Sequence, residues 1–244
     1  VVERAEDFAR IARFVVPAGL LDVYSAARQK RRAKRFVEPL FKLPSRSITD
    51  IFPGIERASV QLNLAHVPDR PEMVMPLAET LIIGAICQWL KPRRAFEIGT
   101  YRGATALAIA MNSPGDVTVF TLDLPPRRKE DGHVDDEIGS AYRGTPPGSR
   151  ITQLYGDSTT LDFRPYERSM DLVLVDGNHD ERFVTADSAN ALRMLKPSGV
   201  IVWDDYLWDR KYPECAGVTR SLDKLSEEYD IANIAGTRLA VYRR

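Results

Sequence analysis

Ala95-Phe96-Glu97-Ile98-Gly99-Thr100-Tyr101-Arg102-Gly103-Ala104-Thr105 is the stretch on which the reading of this chain turns. A short apolar run carries one acid, Glu97, and ends at Gly99. Gly103 follows, and then helix-forming sequence runs through Ala110. Strand, tight turn and helix in that order open a nucleotide-binding α/β sheet. The spacing G-x-x-x-G differs from G-x-G-x-x-G, in which two glycines one residue apart let a pyrophosphate approach the backbone. An acid beside the turn repels a pyrophosphate and suits a cationic ligand, so a dinucleotide-dependent dehydrogenase is disfavoured.

Downstream the rhythm of strand and helix continues. Strands are expected at 95–98, 117–122, 151–155, 172–175 and 200–203, with helices at 103–112 and 181–195. Each strand is a near-continuous apolar run, as expected where both faces of a sheet are covered. Segments 229–234 and 239–242, joined by a turn at Gly236-Thr237, read as an antiparallel hairpin at the sheet edge. The expected fold is α/β: a doubly wound, Rossmann-like, mostly parallel seven-stranded sheet with an antiparallel C-terminal hairpin and an N-terminal helical extension.

Upstream, residues 74–90 read as an apolar helix ending before Pro92, 55–64 as a short strand, and 44–53 and 68–76 as linker and loop. Residues 3–43 read as polar helix. The division expected is 1–60 as N-terminal helical extension and 61–244 as the main domain. The basic run Arg28, Lys30, Arg31, Arg32, Lys34 and Arg35 is either a solvated helix face or a contact for a partner, an anionic membrane surface or a polyanionic substrate. The helical N-terminus is also a candidate dimerisation element for a homo-oligomer. Residues 125–149, rich in Pro, Gly and charge, are too long for an ordinary connection and are expected to form a lid over the ligand site.

The 244 residues, 44% hydrophobic, suffice for one large domain with an extension. Lys+Arg and Asp+Glu stand at 34 each, so global charge gives no sign of nucleic-acid binding. The two cysteines, Cys87 and Cys215, make no disulfide framework, and a reducing, cytoplasmic setting is expected. Neither a signal-peptide pattern nor an apolar run of membrane-spanning length is read.

Every expected parallel strand carries an acid at its carboxyl end: Glu97, Asp123, Asp157, Asp176, and the pair Asp204-Asp205. Ligands of open parallel sheets bind at that edge. Any one of these acids can instead cap the helix that follows it; six together call for cationic or hydrogen-bonding partners. Asp123, 24 residues past Gly99, stands where a carboxylate accepts ribose hydroxyls. Asp157 and Ser158 stand one strand further along, beside an adenine edge. Asp176, Asp204 and Asp205 end two strands expected to be neighbours, and three carboxylates suit a hard divalent cation such as Mg²⁺. His179 could reach a hydroxyl at that ion and act as general base. Tyr101, Trp203, Tyr206 and Trp208 are either stacking surfaces or core. A cationic nucleoside ligand that fits such a site is S-adenosylmethionine, with its sulfonium and ammonium.

The motifs F-E-I-G-T-Y-R-G (96–103), F-T-L-D-L (120–124), G-D-S (156–158), D-L-V-L-V-D-G-N-H (171–179) and L-K-P-S-G-V-I-V-W-D-D-Y (195–206) together resemble those of class I S-adenosylmethionine-dependent methyltransferases, over about residues 75–244. The D-G-x-H and D-D-Y forms resemble a subgroup that includes metal-dependent sugar O-methyltransferases. The resemblance implies an O-methyltransferase acting on a small-molecule hydroxyl. It implies Asp176, Asp204 and Asp205 as Mg²⁺ ligands and His179, with Asp176, as the catalytic residues. Glu97, Gly99, Thr100, Gly103, Asp123, Leu124, Asp157, Ser158 and Asp176 are implied to hold the cofactor. A sugar acceptor follows from the resemblance alone; a catechol-like phenol or a polyketide-derived hydroxyl stays open. Metal-independent methyl transfer and a non-catalytic cofactor-binding or assembly module are the competing readings.

Overall fold

The computed structural model describes residues 41–63, 75–126, 137–207 and 212–244. The N-terminal basic run, most of the 68–76 loop, the centre of the expected lid and Trp208 lie outside the described residues. Among the described residues no helix is long and apolar enough to cross a membrane.

In chain order the elements are β1 (Ser45–Arg46), a single helical turn (Ile48–Ile51), α1 (Leu77–Leu90), β2 (Arg94–Ile98), α2 (Ala104–Asn112) and β3 (Thr118–Asp123). Then come β4 (Ile151–Tyr155), β5 (Met170–Val175), α3 (Glu181–Met194), β6 (Leu195–Trp203), α4 (Ala216–Leu225), β7 (Ile231–Ile234) and β8 (Ala240–Arg243). The described strands form one sheet in the order β1-β7-β8-β6-β5-β2-β3-β4. All neighbours run parallel except β6 with β8 and β7 with β8, which are antiparallel. The doubly wound sheet and C-terminal hairpin are those expected. An eighth strand, β1, joins the edge of the expected seven by pairing with β7.

The apolar runs alternate between two cores. Ala95, Val119, Leu172, Leu174, Val200 and Val202 face the layer that holds α1 and α2. Phe96, Leu122, Val173, Ile201 and Trp203, one register position away, face α3 and α4. With both faces covered, neither alternate set of these strands can be polar without a partner, which is why the runs are apolar throughout.

Three local expectations are corrected. The stretch 44–53, read as linker, contains β1 and the helical turn capped by Ser47, whose side chain accepts from the Asp50 amide. The strand expected at 55–64 is absent from its described part. Ile55–Arg57 is a short 3-10 turn behind Gly54, and the Gln61 backbone pairs with a side chain rather than with another strand. Its N–H donates to Asn112 Oδ1 at 2.7 Å, and Asn112 Nδ2 donates to its C=O at 2.9 Å. An amide side chain thus satisfies the groups a ladder would have satisfied. β6 also starts at Leu195 rather than 200, with its register to β5 shifting between Met170 and Leu172. Leu43, Phe52 and Ile55 are buried in the main cores.

The strand order reverses between β2 and β5, and Gly99 lies in that crevice. The amide of Gly99 donates to Leu122 O (2.9 Å), and that of Asp176 donates to Ile98 O (2.8 Å), extending the ladders past the strand ends. Gly99 has φ +100°, and a Cβ there would lie 1.9 Å from the Asp176 carbonyl oxygen. Neither the angle nor the space admits a side chain. Gly99→Ala is therefore expected to lower stability by about 3 kcal/mol, read as a fall in the urea midpoint at unchanged m-value.

Candidate active site

Parallel registry puts the strand ends at one level. Ile98 pairs with Leu122 and with Val175, and Val175 pairs with Trp203. The next residues, Asp123, Gly99, Asp176 and Asp204, thus stand side by side across four strands at the carboxyl edge.

On the β3 side, the Asp123 carboxylate organises the glycine turn. Its Oδ2 accepts from the amides of Thr100 (3.1 Å) and Tyr101 (2.7 Å), and its Oδ1 from the amide of Leu124 (2.7 Å). Tyr101 is held at φ +45°, an uncommon conformation for a bulky residue that these amide bonds accompany. Leu124 is exposed beside it. Asp157 is exposed and folds its own turn, accepting from the Thr159 amide (2.8 Å) and hydroxyl (2.7 Å), which hold its carboxyl below the usual range. Ser158 is tied to α3, where Asn190 donates to its carbonyl at 3.1 Å and Asp187 bonds its hydroxyl. Burial raises the Asp187 carboxyl to about 6.

Beneath the turn runs a polar row that sequence reading saw only at Glu97 and Thr100. Glu97, Thr121 and Gln153 are register partners on β2, β3 and β4 and share one face. Thr121 donates to Glu97, and its hydroxyl pairs with Thr100 Oγ1 at 2.7 Å. Gln153 Nε2 donates to Thr100 Oγ1 at 3.0 Å, and the Tyr142 hydroxyl donates to Gln153 Oε1. Glu97 is 1% exposed, and burial pushes its carboxyl up to about 8 against the Thr121 bond. Residues 137–150 dock directly on the turn: Gly139 N–H donates to Tyr101 O (2.9 Å) and Ala141 N–H to Arg102 O (2.8 Å). The Tyr142 ring lies against Gly103.

On the β5–β6 side, Asp176, Asp204 and Asp205 bring carboxylate oxygens within 4.8 Å of one another. Burial, and then the neighbouring carboxylates, raise Asp176 well above its ordinary value; burial and Asp205 raise Asp204 to about 7. Asp205 goes the other way: burial opposes ionisation, but His179 and Arg238 hold its carboxyl below the usual range. His179 Nε2 is 3.0 Å from Asp205 Oδ2, and this bond raises the imidazole. The sequence placed all four residues together, and the structure does so.

Arg238 was missed. It sits in the β7–β8 turn, and its Nη1 lies 2.7 Å from Asp205 Oδ1 and its Nη2 3.6 Å from Asp204 Oδ2. Glu79, buried in the first turn of α1, holds it from behind, accepting from Nη2 (3.1 Å) and from the Arg238 amide (2.7 Å). The Tyr206 amide donates to Arg238 O at 2.8 Å. The antiparallel register that pairs Trp203 with Ala240 brings Arg238 opposite Asp205. Nothing in the local sequence of the hairpin announces this. Trp203 and Tyr206 are buried in the core rather than open as stacking surfaces.

With this geometry in view, likeness to known proteins is informative. Residues 96–206, from β2 to just past the Asp204-Asp205 pair, match a family described as a methyltransferase domain. The chain is 26% identical over 144 residues to the caffeoyl-CoA O-methyltransferase of Stellaria longipes, covering 54% of each protein, so it spans about half the length of that relative. Among solved structures, the Podospora anserina methyltransferase PaMTH1, bound to S-adenosylhomocysteine, superposes with a TM-score of 0.57 at 19% identity, covering 94% of this chain and 97% of that one. The O-methyltransferase TomG of Streptomyces achromogenes, in complex with S-adenosylmethionine, gives 0.52 at 22% identity over 71% and 82%. Residues 96–206 are thus similar to a methyltransferase domain, and the fold is shared with solved methyltransferases. A probable caffeoyl-CoA O-methyltransferase of Arabidopsis thaliana is 24% identical over 174 residues, covering 66% of this chain and 68% of that protein.

Two tests follow. Glu97 keeps in the native state a proton that the unfolded chain releases above its ordinary value of 4.5. The stability this gives is present at low pH and lost as pH climbs toward about 8. Glu97→Gln should reduce the fall in stability between these limits by up to about 1.4 kcal/mol per pH unit, measured by denaturant titration across pH. Arg238→Met, which strips the buried acids of their cation, should cost about 3 kcal/mol. Combining it with Glu79→Gln should cost clearly less than the sum, since Arg238 and Glu79 act as one unit.

Proposed function

We propose that this protein transfers a methyl group from S-adenosylmethionine to a hydroxyl oxygen of a small-molecule acceptor, assisted by a divalent cation. The observation that carries the reading is the meeting of Asp176, Asp204, Asp205 and His179 at the carboxyl edge, one register step from the glycine turn at the point where strand order reverses. The cofactor would lie across Gly99, with Asp123 accepting the ribose hydroxyls, Leu124 against the adenine, and Asp157 and Ser158 at its edge. Glu97, Thr100 and Gly103 would shape the turn that faces the methionine part.

The donor set fits a hard cation. Three carboxylates face each other with one guanidinium nearby, and Asp176 and Asp204 are raised by burial and by the neighbouring carboxylates. When bound, such an ion supplies polarisation that eases loss of the acceptor's proton. Asp205 accepts from His179 Nε2 and so leaves Nδ1 as the ring atom that can take that proton. The alkoxide or phenolate oxygen then attacks the sulfonium methyl in line while the thioether leaves, and positioning supplies much of the rate. Likeness to the caffeoyl-CoA type favours a catechol-like phenol, and the D-G-x-H form favours a sugar. The free thiols Cys87 and Cys215 suit a reducing compartment such as the cytoplasm. Arg238 favours a second reading, in which its guanidinium takes the place of the metal.

Calorimetry with S-adenosylhomocysteine tests the cofactor, and turnover on a panel of catechols and glycosides tests the acceptor. His179→Ala should cut turnover by about 10²–10⁴-fold while leaving S-adenosylhomocysteine affinity unchanged. EDTA should abolish turnover and Mg²⁺ restore it. Full activity in EDTA would transfer the metal's role to Arg238, and full activity of His179→Ala would remove the base assignment.

A further inference from the structure

A second donor group converges at this edge. A ring nitrogen of His179, a carboxylate oxygen of Asp205 and Sγ of Cys215 lie within 4.8 Å of one another. We propose that these three residues form a binding site for Zn²⁺, overlapping the carboxylate cluster through their shared Asp205. Only the consequence of filling it, loss of methyl transfer, rests on the function proposed above.

The chemistry of the donors separates the two groups. Asp176, Asp204 and Asp205 offer oxygen alone, which suits Mg²⁺ or Ca²⁺. Imidazole, carboxylate and thiolate together are the donor types of Zn²⁺, and three protein ligands leave a fourth tetrahedral position for water.

The placement of Cys215 is structural rather than incidental. Cys215 immediately precedes α4, and the start of that helix is pressed against the loop that carries His179. A Cβ on Gly217 would lie 2.1 Å from the His179 carbonyl oxygen and 2.7 Å from the Glu181 amide nitrogen. Backbone contact two residues away thus holds the sulfur beside the imidazole. His179 is anchored from its other side by Asp205, 3.0 Å away. Cys215 is 4% exposed.

Binding balances simply. The Sγ–H bond of Cys215 breaks, an Sγ–Zn bond forms, and the proton goes to solvent. His179 ligates as neutral imidazole through a ring-nitrogen lone pair, its proton on the other nitrogen. Asp205 exchanges its bond to His179 for the metal. His179 is then no longer a base and Asp205 no longer holds it, so Zn²⁺ would act as an inhibitor where Mg²⁺ activates.

Co²⁺ reports the site without any acceptor. Titrated into the full chain, it should give a thiolate-to-cobalt charge-transfer band in the near ultraviolet, displaced by Zn²⁺. Cys215→Ser should lose the band. Calorimetric Zn²⁺ affinity should fall at least about tenfold in Cys215→Ser and in His179→Ala. Co²⁺ binding without the band overturns the proposal, as does wild-type Zn²⁺ affinity in Cys215→Ser. If that variant fails to fold, the wild-type band decides alone. S-adenosylhomocysteine binding on the same samples reports the methyltransferase reading separately, so the two can fail independently.

Discussion

Three carboxylates held within 4.8 Å of one another, two of them almost fully buried, repel strongly, and the architecture around them is organised by that repulsion. A buried carboxylate is costly unless it is paired or protonated, and both solutions appear here. Asp205 is paired, with Arg238 on one oxygen and His179 on the other. Asp176 and Asp204 are raised. These two residues directly follow β5 and β6 and stand side by side at the carboxyl edge.

Glu79 makes that division stable. It binds both the side chain and the backbone amide of Arg238, so the first turn of α1 fixes the tip of the C-terminal hairpin. The hairpin fixes Asp205, and Asp205 fixes His179. The chain of contacts runs from a helix on one face of the sheet to the loop that opens a helix on the other. It accounts for a histidine that is positioned although it stands on a loop. The same logic operates on the β3 side, where Asp123 gathers two amides of the glycine turn and the Glu97–Thr121–Gln153 row supports it from below.

The strands and the site acids were legible because each carries a local signature. An apolar run of five residues ending in an acid and a turn is recognisable from β2, β3 and β5 alone. Asp123, Asp176, Asp204, Asp205 and His179 could be named because a parallel sheet delivers the residue after each strand to one edge. The segments misread, 44–53 and 55–64, are those whose backbone partners lie far away: β7 for Ser45–Arg46, and the Asn112 side chain for Gln61. A two-residue strand has no periodicity to detect, and a side chain that imitates a strand leaves no mark in the segment it pairs with.

By itself, then, the sequence determined the layer architecture, the carboxyl edge and the acids that stand on it, because these follow from hydrophobic pattern and from the direction of parallel strands. The tertiary structure decided how those acids are compensated. Arg238 reaches Asp205 only because β8 pairs antiparallel with β6 in one register, and a shift of one residue would turn its side chain to the opposite face. Glu79 and Cys215 enter the site only because α1 and the start of α4 pack against its walls. Contacts between residues 26 to 159 positions apart depend on packing energies summed over the whole core, and no local pattern encodes them.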